Sequence, residues 1–241
     1  MTDKTEWEFR DDIIEVARLL DRKGLVAATD GNISVRLPDG RFLLTPSGVP
    51  KGKVHHDQLI LVDGEGSPVA SAGSATGKPT SEFRMHLEAY RVRPDVLAVV
   101  HAHPVTVTAF TIAGLSLAQC VIPEVVVTLG AVPTSRYATP SSEQGPEVIR
   151  EFIGDCDAII LDRHGAITVG KTVFEAYYKM EKLEHAAEIT LKARQLGKVK
   201  TLPPEEVRRL MELRQKLGVT SRIRLCNECY ACGGPPGASP R

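Results

Sequence analysis

Apolar positions follow two different repeats along the chain, and the places where one gives way to the other mark out the elements. Ile13, Ile14, Val16, Ala17, Leu19 and Leu20 lie on one face of a helix that Gly24 can end. Residues 33–37 and 42–45 read as two strands around Pro38-Asp39-Gly40, a β-hairpin with its own turn chemistry. Residues 59–62 form a further strand, closed by Gly64-Glu65-Gly66. Pro79-Thr80-Ser81 opens a helix that runs to about Arg93 and stops at Pro94. Short apolar strands are predicted at 96–102, 125–129, 158–161 and 166–169, with a helix over 105–113 between the first two. The longest helix covers 173–196, with Ala176, Met180, Leu183, Ala187 and Leu191 on one side. Pro203-Pro204-Glu205 starts a last helix that Gly218 can end.

Strands and helices alternate, yet several strands are joined by hairpin-length links. That favours an α/β fold whose sheet is mixed and carries helices on its faces, over a strictly parallel arrangement. With 241 residues, 42% of them hydrophobic, the chain suits one large domain with a sizeable core. This domain is expected over residues 1–224. After Arg224 the composition changes to CNECYACGGPPGASPR, an irregular Cys-rich tail at 225–241.

Thirty basic residues cancel thirty acidic ones, and neither sign forms a long block. Nucleic acid and membrane surfaces are therefore not expected partners. No apolar run approaches the roughly 18 residues needed to span a bilayer. The opening MTDKTEWEFRDD is too acidic and polar for a secretory signal, and the five cysteines are unevenly spaced. A cytoplasmic globular protein is the expectation.

The chemistry concentrates in a few segments. His101 and His103 stand two apart at the end of the strand VLAVV, so both imidazoles leave it on one side. Pro104 cannot continue a central strand and forces a turn there. His164 follows a second apolar strand, and Gly165 lets the backbone turn closely beneath it. Three neutral imidazoles with one open position are what a catalytic zinc site requires. A half-buried pair satisfied by hydrogen bonds fits His-X-His spacing equally well.

Thr80, Ser81 and the free N–H groups of a helix start could cradle a phosphate, or simply cap the helix. Glu82 reads as a first-turn carboxylate, or as a fourth metal ligand or general base if it faces the histidines. His86, one turn on, could orient it or lie on the surface. Thr29-Asp30-Gly31-Asn32 and Thr45-Pro46-Ser47-Gly48 suit an anion nest or ordinary turns. Cys226, Cys229 and Cys232 have a spacing that suits thiolate coordination of zinc or an iron–sulfur cluster, without the usual fourth ligand; a thiol-rich end fits too. Cys120 and Cys156 sit in apolar segments as small core residues.

Five segments in order, TDGNISVR, LLTPSGVP, PTSEFRMHLEAY, VVHAHP and DRHGAITVG, make residues 10 to 218 resemble the class II aldolase/adducin family. The resemblance implies a three-layer α/β/α sandwich around a mainly antiparallel sheet, assembled as a homotetramer with sites between subunits. It implies Zn2+, or Mn2+ or Co2+ in its place, held by His101, His103, His164 and Glu82, with Glu82 leaving the metal on substrate binding to shuttle a proton. Asn32, Ser47, Gly48, Thr80 and Ser81 match the family's substrate-phosphate pocket.

The activity implied is aldol cleavage of a phosphorylated ketose to dihydroxyacetone phosphate and an aldehyde, as in L-fuculose-phosphate aldolase. Related members decarboxylate 3-oxo-tetronate phosphates or dehydrate methylthioribulose phosphate. Adducin-like members are interaction modules without the metal histidines, which this chain keeps. Two tyrosines of the fuculose-phosphate enzyme fall at Ile122 and about Leu217. Glu124, which also reads as an exposed loop residue, and Tyr137 are candidates for the missing aldehyde-side proton donor. The family's C-terminus lies near its active site, so the cysteine tail could act as a lid.

Overall fold

The structure is a computed structural model and describes residues 4–69, 78–130 and 132–219. Helix α1 (Glu6–Arg22) starts at Thr5, whose hydroxyl accepts from the Glu8 N–H while the Glu8 carboxylate accepts from the Thr5 N–H. The hairpin strands β1 (Asn32–Arg36) and β2 (Phe42–Leu44) follow, then β3 (Ile60–Val62), α2 (Phe83–Val92), β4 (Ala98–Ala102) and α3 (Val105–Ile112). The chain continues through α4 (Pro123–Thr128), α5 (Gln144–Ile153), β5 (Ala158–Leu161), β6 (Gly165–Gly170), α6 (Val173–Leu196) and α7 (Pro204–Lys216).

The six strands form one sheet in the order β3-β2-β1-β4-β6-β5. Every pairing between named strands is antiparallel, and the parallel contribution shrinks to an isolated bridge between Thr134 and Ile160. The alternation of side chains sorts the sheet onto two cores. Ala98, Val100 and Ala102 of β4 face one, built with Ile13, Leu20, Met180 and Leu183 of α1 and α6. Val99 faces the other, with Phe83, Tyr90, Val148 and Ile149 of α2 and α5. Helices on both faces of one sheet make the three layers, and His101 shares its side with Val99, towards α2.

Two sequence expectations need correction, and one helix was missed. Residues 125–129 are not a strand: Pro123 occupies the first turn of α4, and the Val125 and Val126 N–H groups bond to Ile122 O. Val126 is buried there with Cys120 and Val207, so packing against α7 overrides the β preference of three consecutive valines. Helix α2 begins at Phe83, later than a Thr80 or Ser81 cap would set it, with Glu82 as N-cap and no side-chain cap bond. Helix α5 has no counterpart in the pattern reading. Pro146 disguises it, although in a first turn its missing N–H costs nothing.

Cys226, Cys229 and Cys232, and the boundary placed at 224, lie outside the described residues. Among the described residues no helix is long and apolar enough to cross a membrane.

Candidate metal centre and substrate cleft

The register of the sheet assembles the centre. Asn32 of β1 pairs with His101 of β4, and His101 pairs with Ile167 of β6, at the end of the sheet where α2 begins. His103 lies two residues beyond His101, and His164 precedes β6 at the turn from β5. The His101, His103 and His164 rings stand 4.8–4.9 Å apart between centroids. One ligand atom from each, with a carboxylate oxygen of Glu82, falls within 4.8 Å of all the others. Glu82 Oε1 is 3.1 Å from His164 Nε2, and Oε2 is 3.4 Å from His101 Nε2.

Second partners orient the rings. His101 Nδ1 is 2.9 Å from the Ala166 carbonyl oxygen, which can only accept, so Nδ1 carries the proton and Nε2 presents a lone pair. His103 Nδ1 faces Asp30 at 3.5 Å, which likewise turns Nε2 inward. The two Nε2 atoms then meet at 3.1 Å, acceptor against acceptor. That approach is repulsive unless a cation or proton sits between them. Two nitrogens on a tetrahedral metal at about 2.05 Å stand roughly 3.3 Å apart, so the spacing fits a shared ion. Glu82 Oε1 is buried with the His164 ring nitrogen at 3.1 Å, a carboxylate oxygen that a shared cation would also satisfy.

The electrostatics agree. Burial would raise the Glu82 carboxyl, but the hydrogen bonds and charge of His101 and His164 outweigh it and hold Glu82 well below the usual carboxylate range. Burial, then the charge of the neighbouring imidazoles, pulls His103 down to about 4, leaving it neutral as a ligand must be. His86 is fully buried rather than on the surface. Its Nδ1 is 2.7 Å from Ser34 Oγ, its Nε2 has no partner, and burial lowers it to about 3.

Beside the histidines opens a cleft of about 390 Å³ formed by three loops. It is lined by residues 29–32, by Pro46, Ser47 and Gly48, and by Thr80, Ser81 and Glu82, with His103 and His164 at its inner end. A bridge between Pro46 and Pro79 brings the second and third loops together. Gly31 and Gly48 adopt φ of +72° and +74°, the left-handed turns from which backbone nests are made. A Cβ at Gly48 would meet nothing within 4 Å, whereas one at Gly31 would collide with Val26 and the His101 carbonyl.

The sequence candidates Asn32, Ser47, Gly48, Thr80 and Ser81 therefore share one cleft with the histidines. Asn32 has a second task, since its Nδ2 donates to Glu82 Oε2 at 2.9 Å. Thr80 Oγ1 accepts from the Glu82 N–H, a local turn rather than a helix cap. Glu124 is exposed on the first turn of α4 and does not line this cleft; Tyr137 is exposed as well.

Two wall residues escaped the sequence reading, Pro140 and Ser141. Ser141 Oγ is 2.7 Å from Ser81 Oγ, and its φ of 61° gave no sign in the sequence because the residue is not glycine. Ala28, Ser141 and Arg163, the non-glycine residues at positive φ among those described, all flank the cleft, where backbone strain commonly accompanies function.

Residues 11–191 match the family model described as Class II Aldolase and Adducin N-terminal domain. The chain is 34% identical over 179 residues to an L-fuculose phosphate aldolase of Methanococcus maripaludis, covering 74% of this chain and 93% of that one. It is 31% identical over 190 residues to a 3-oxo-tetronate 4-phosphate decarboxylase of Escherichia coli K12, covering 77% and 87%. Among solved structures, YgbL from Escherichia coli superposes with a TM-score of 0.78 at 30% identity, over 86% of this chain and 99% of that one.

Proposed function

The chain belongs to the class II aldolase and adducin family, and from that premise we propose that it is a divalent-metal lyase that breaks a carbon–carbon bond in a small phosphorylated substrate. The observation that carries this reading is the convergence of His101, His103, His164 and Glu82 beside a cleft lined by hydroxyls and glycine turns. Zinc suits three imidazoles and one carboxylate, and Mn2+ or Co2+ could take the same donors. When bound, the metal supplies Lewis-acid polarisation of a substrate carbonyl.

The protein's own residues do the rest. Ser47, Thr80, Ser81 and the turns at Gly31 and Gly48 would hold the phosphate. Asn32 holds Glu82 in place, and Glu82 would deliver a proton to the carbon left electron-rich by cleavage. The first reading is retro-aldol cleavage of a phosphorylated ketose to dihydroxyacetone phosphate and an aldehyde, as the methanococcal relative's name supports.

Decarboxylation of a phosphorylated 3-oxo sugar acid is the second reading, and one observation favours it. Retro-aldol cleavage needs a base for the hydroxyl on the departing aldehyde, and within one chain the candidate Glu124 stands outside the cleft. Loss of carbon dioxide needs no such group. The deciding measurement is product analysis on a panel of ketose phosphates and 3-oxo acid phosphates. Aldehyde with dihydroxyacetone phosphate is expected, and carbon dioxide without aldehyde would replace the first reading by the second. Purified protein that neither contains nor takes up a divalent metal, and turns over nothing on the panel, would end both and leave an adducin-like interaction module.

A further inference from the structure

Lys51 opens the 3-10 turn Lys51–Lys53 behind the cleft and is only 1% exposed. A buried ammonium ordinarily keeps a carboxylate beside it, because an unpaired charge out of water is strongly unfavourable. Lys51 forms no ion pair among the described residues, and Asp30 and Glu82 act on it only through space. Those two charges already face His103, and His101 with His164. Lys51 Nζ donates instead to two carbonyls, Thr29 O at 2.9 Å and Val49 O at 3.0 Å. The carbonyls belong to the two loops that bring Asn32 and Ser47-Gly48 to the cleft, so one side chain ties both loops from behind.

We propose that the counter-charge missing from Lys51 arrives with the substrate: a phosphate dianion seated in the nest of the two loops, with Lys51 as the positioning and electrostatic residue beneath it. The inference rests on reading this cleft as a phosphate subsite, and it adds the cation that the hydroxyl and glycine residues of that subsite lack. Without the anion, burial draws the ammonium down to about 8, a bias that a bound dianion would reverse.

The test is calorimetric titration of inorganic phosphate into metal-loaded wild-type, Ser81→Ala, Lys51→Met and Lys51→Gln protein, with metal content and thermal midpoint measured alongside. Saturable binding to wild type is expected, weakened by Ser81→Ala and weakened on the order of tenfold or more by both Lys51 changes. Metal content should stay at the wild-type level. KM for a phosphorylated substrate should rise by a similar factor while kcat changes less. Wild type that binds no phosphate, or binds it with no sensitivity to Ser81→Ala, would overturn the subsite itself. Sensitivity to Ser81→Ala with none to the Lys51 changes would leave the subsite standing and overturn the role of Lys51. If Lys51→Met does not fold, Lys51→Gln carries the test, since its amide can still donate to a loop carbonyl without bringing a charge.

Discussion

A Cβ on Gly165 would stand 2.3 Å from the Ala102 carbonyl oxygen and 3.0 Å from His103 Cδ2. Gly165 therefore serves His103 and β4 more than the neighbouring His164 that the sequence pointed to. Gly165→Ala has backbone as well as the His103 ring in its way, so β4 and β6 must separate there and push His103 out of line. Bound metal per chain, counted after dialysis, should fall well below wild type at similar helix content. Full retention of metal would show that the close approach is not needed. Glu82→Gln should keep metal, because three imidazoles remain, while turnover drops roughly 10²-fold; unchanged turnover would remove Glu82 from proton transfer. At Lys51 the pH dependence has two opposite signs. Dianion binding favours the ammonium, so phosphate affinity should fall as pH rises through about 8, a limb missing from Lys51→Met. The facing charges, Asp30 and Glu82, hold that limb up against burial. Stability moves the other way: between about 8 and the ordinary lysine value of 10.5 the unfolded chain keeps a proton that the folded chain has released. The unfolding free energy of wild type should therefore rise with pH in that window relative to Lys51→Met.

Helix α3 directly follows the segment that carries the candidate ligands His101 and His103, and its N-cap, Pro104, offers no side-chain acceptor. Glu184 of α6 supplies one, its two oxygens accepting from the Thr106 N–H at 2.8 Å and the Val107 N–H at 3.0 Å. The buried carboxylate caps a helix across the layer and so fixes the turn that carries His103. Glu184→Ala should cost about 3 kcal/mol in denaturant unfolding, Glu184→Gln less, and metal affinity should weaken with the first. An unchanged midpoint would mean that α3 is capped by water instead. Such cross-element bonds explain what the sequence could and could not disclose. His101 and His103 were legible together because a strand repeats every two residues, and α1, α6 and the hairpin were legible because their periods are local. The tie from Asn32 to Glu82 depends on the pairing of Asn32 with His101 and on where α2 starts, neither of which has a local signal. The valines of α4 went astray for the same reason, since the contact with α7 that decides their conformation is distant in the chain.

If the reaction is aldol cleavage, the assembled molecule is where the missing base for the aldehyde-side hydroxyl must come from. Helix α3 starts two residues after His103 and leaves Val105 69% and Ile112 57% exposed, close to the centre and unsuited to water. We expect these residues to be covered in a homotetramer, with a neighbour's Glu124 or Tyr137 completing each cleft. Light scattering should give a mass near four chains for wild type and a smaller one for Ile112→Asp. Metal should be kept and turnover lost with assembly; a fully active single chain would refute shared sites. Subunit mixing then isolates Glu124. Chains with Glu82→Gln and chains with Glu124→Ala should each be nearly inactive alone. If Glu124 acts across an interface, a mixed oligomer contains clefts that draw Glu82 from one chain and Glu124 from another. Co-refolded mixtures should then recover a substantial part of wild-type turnover, in proportion to the fraction of such clefts. A mixture no more active than its parents would confine the chemistry to one chain, where Glu82 is the acid at the metal and decarboxylation becomes the better account of the cleft.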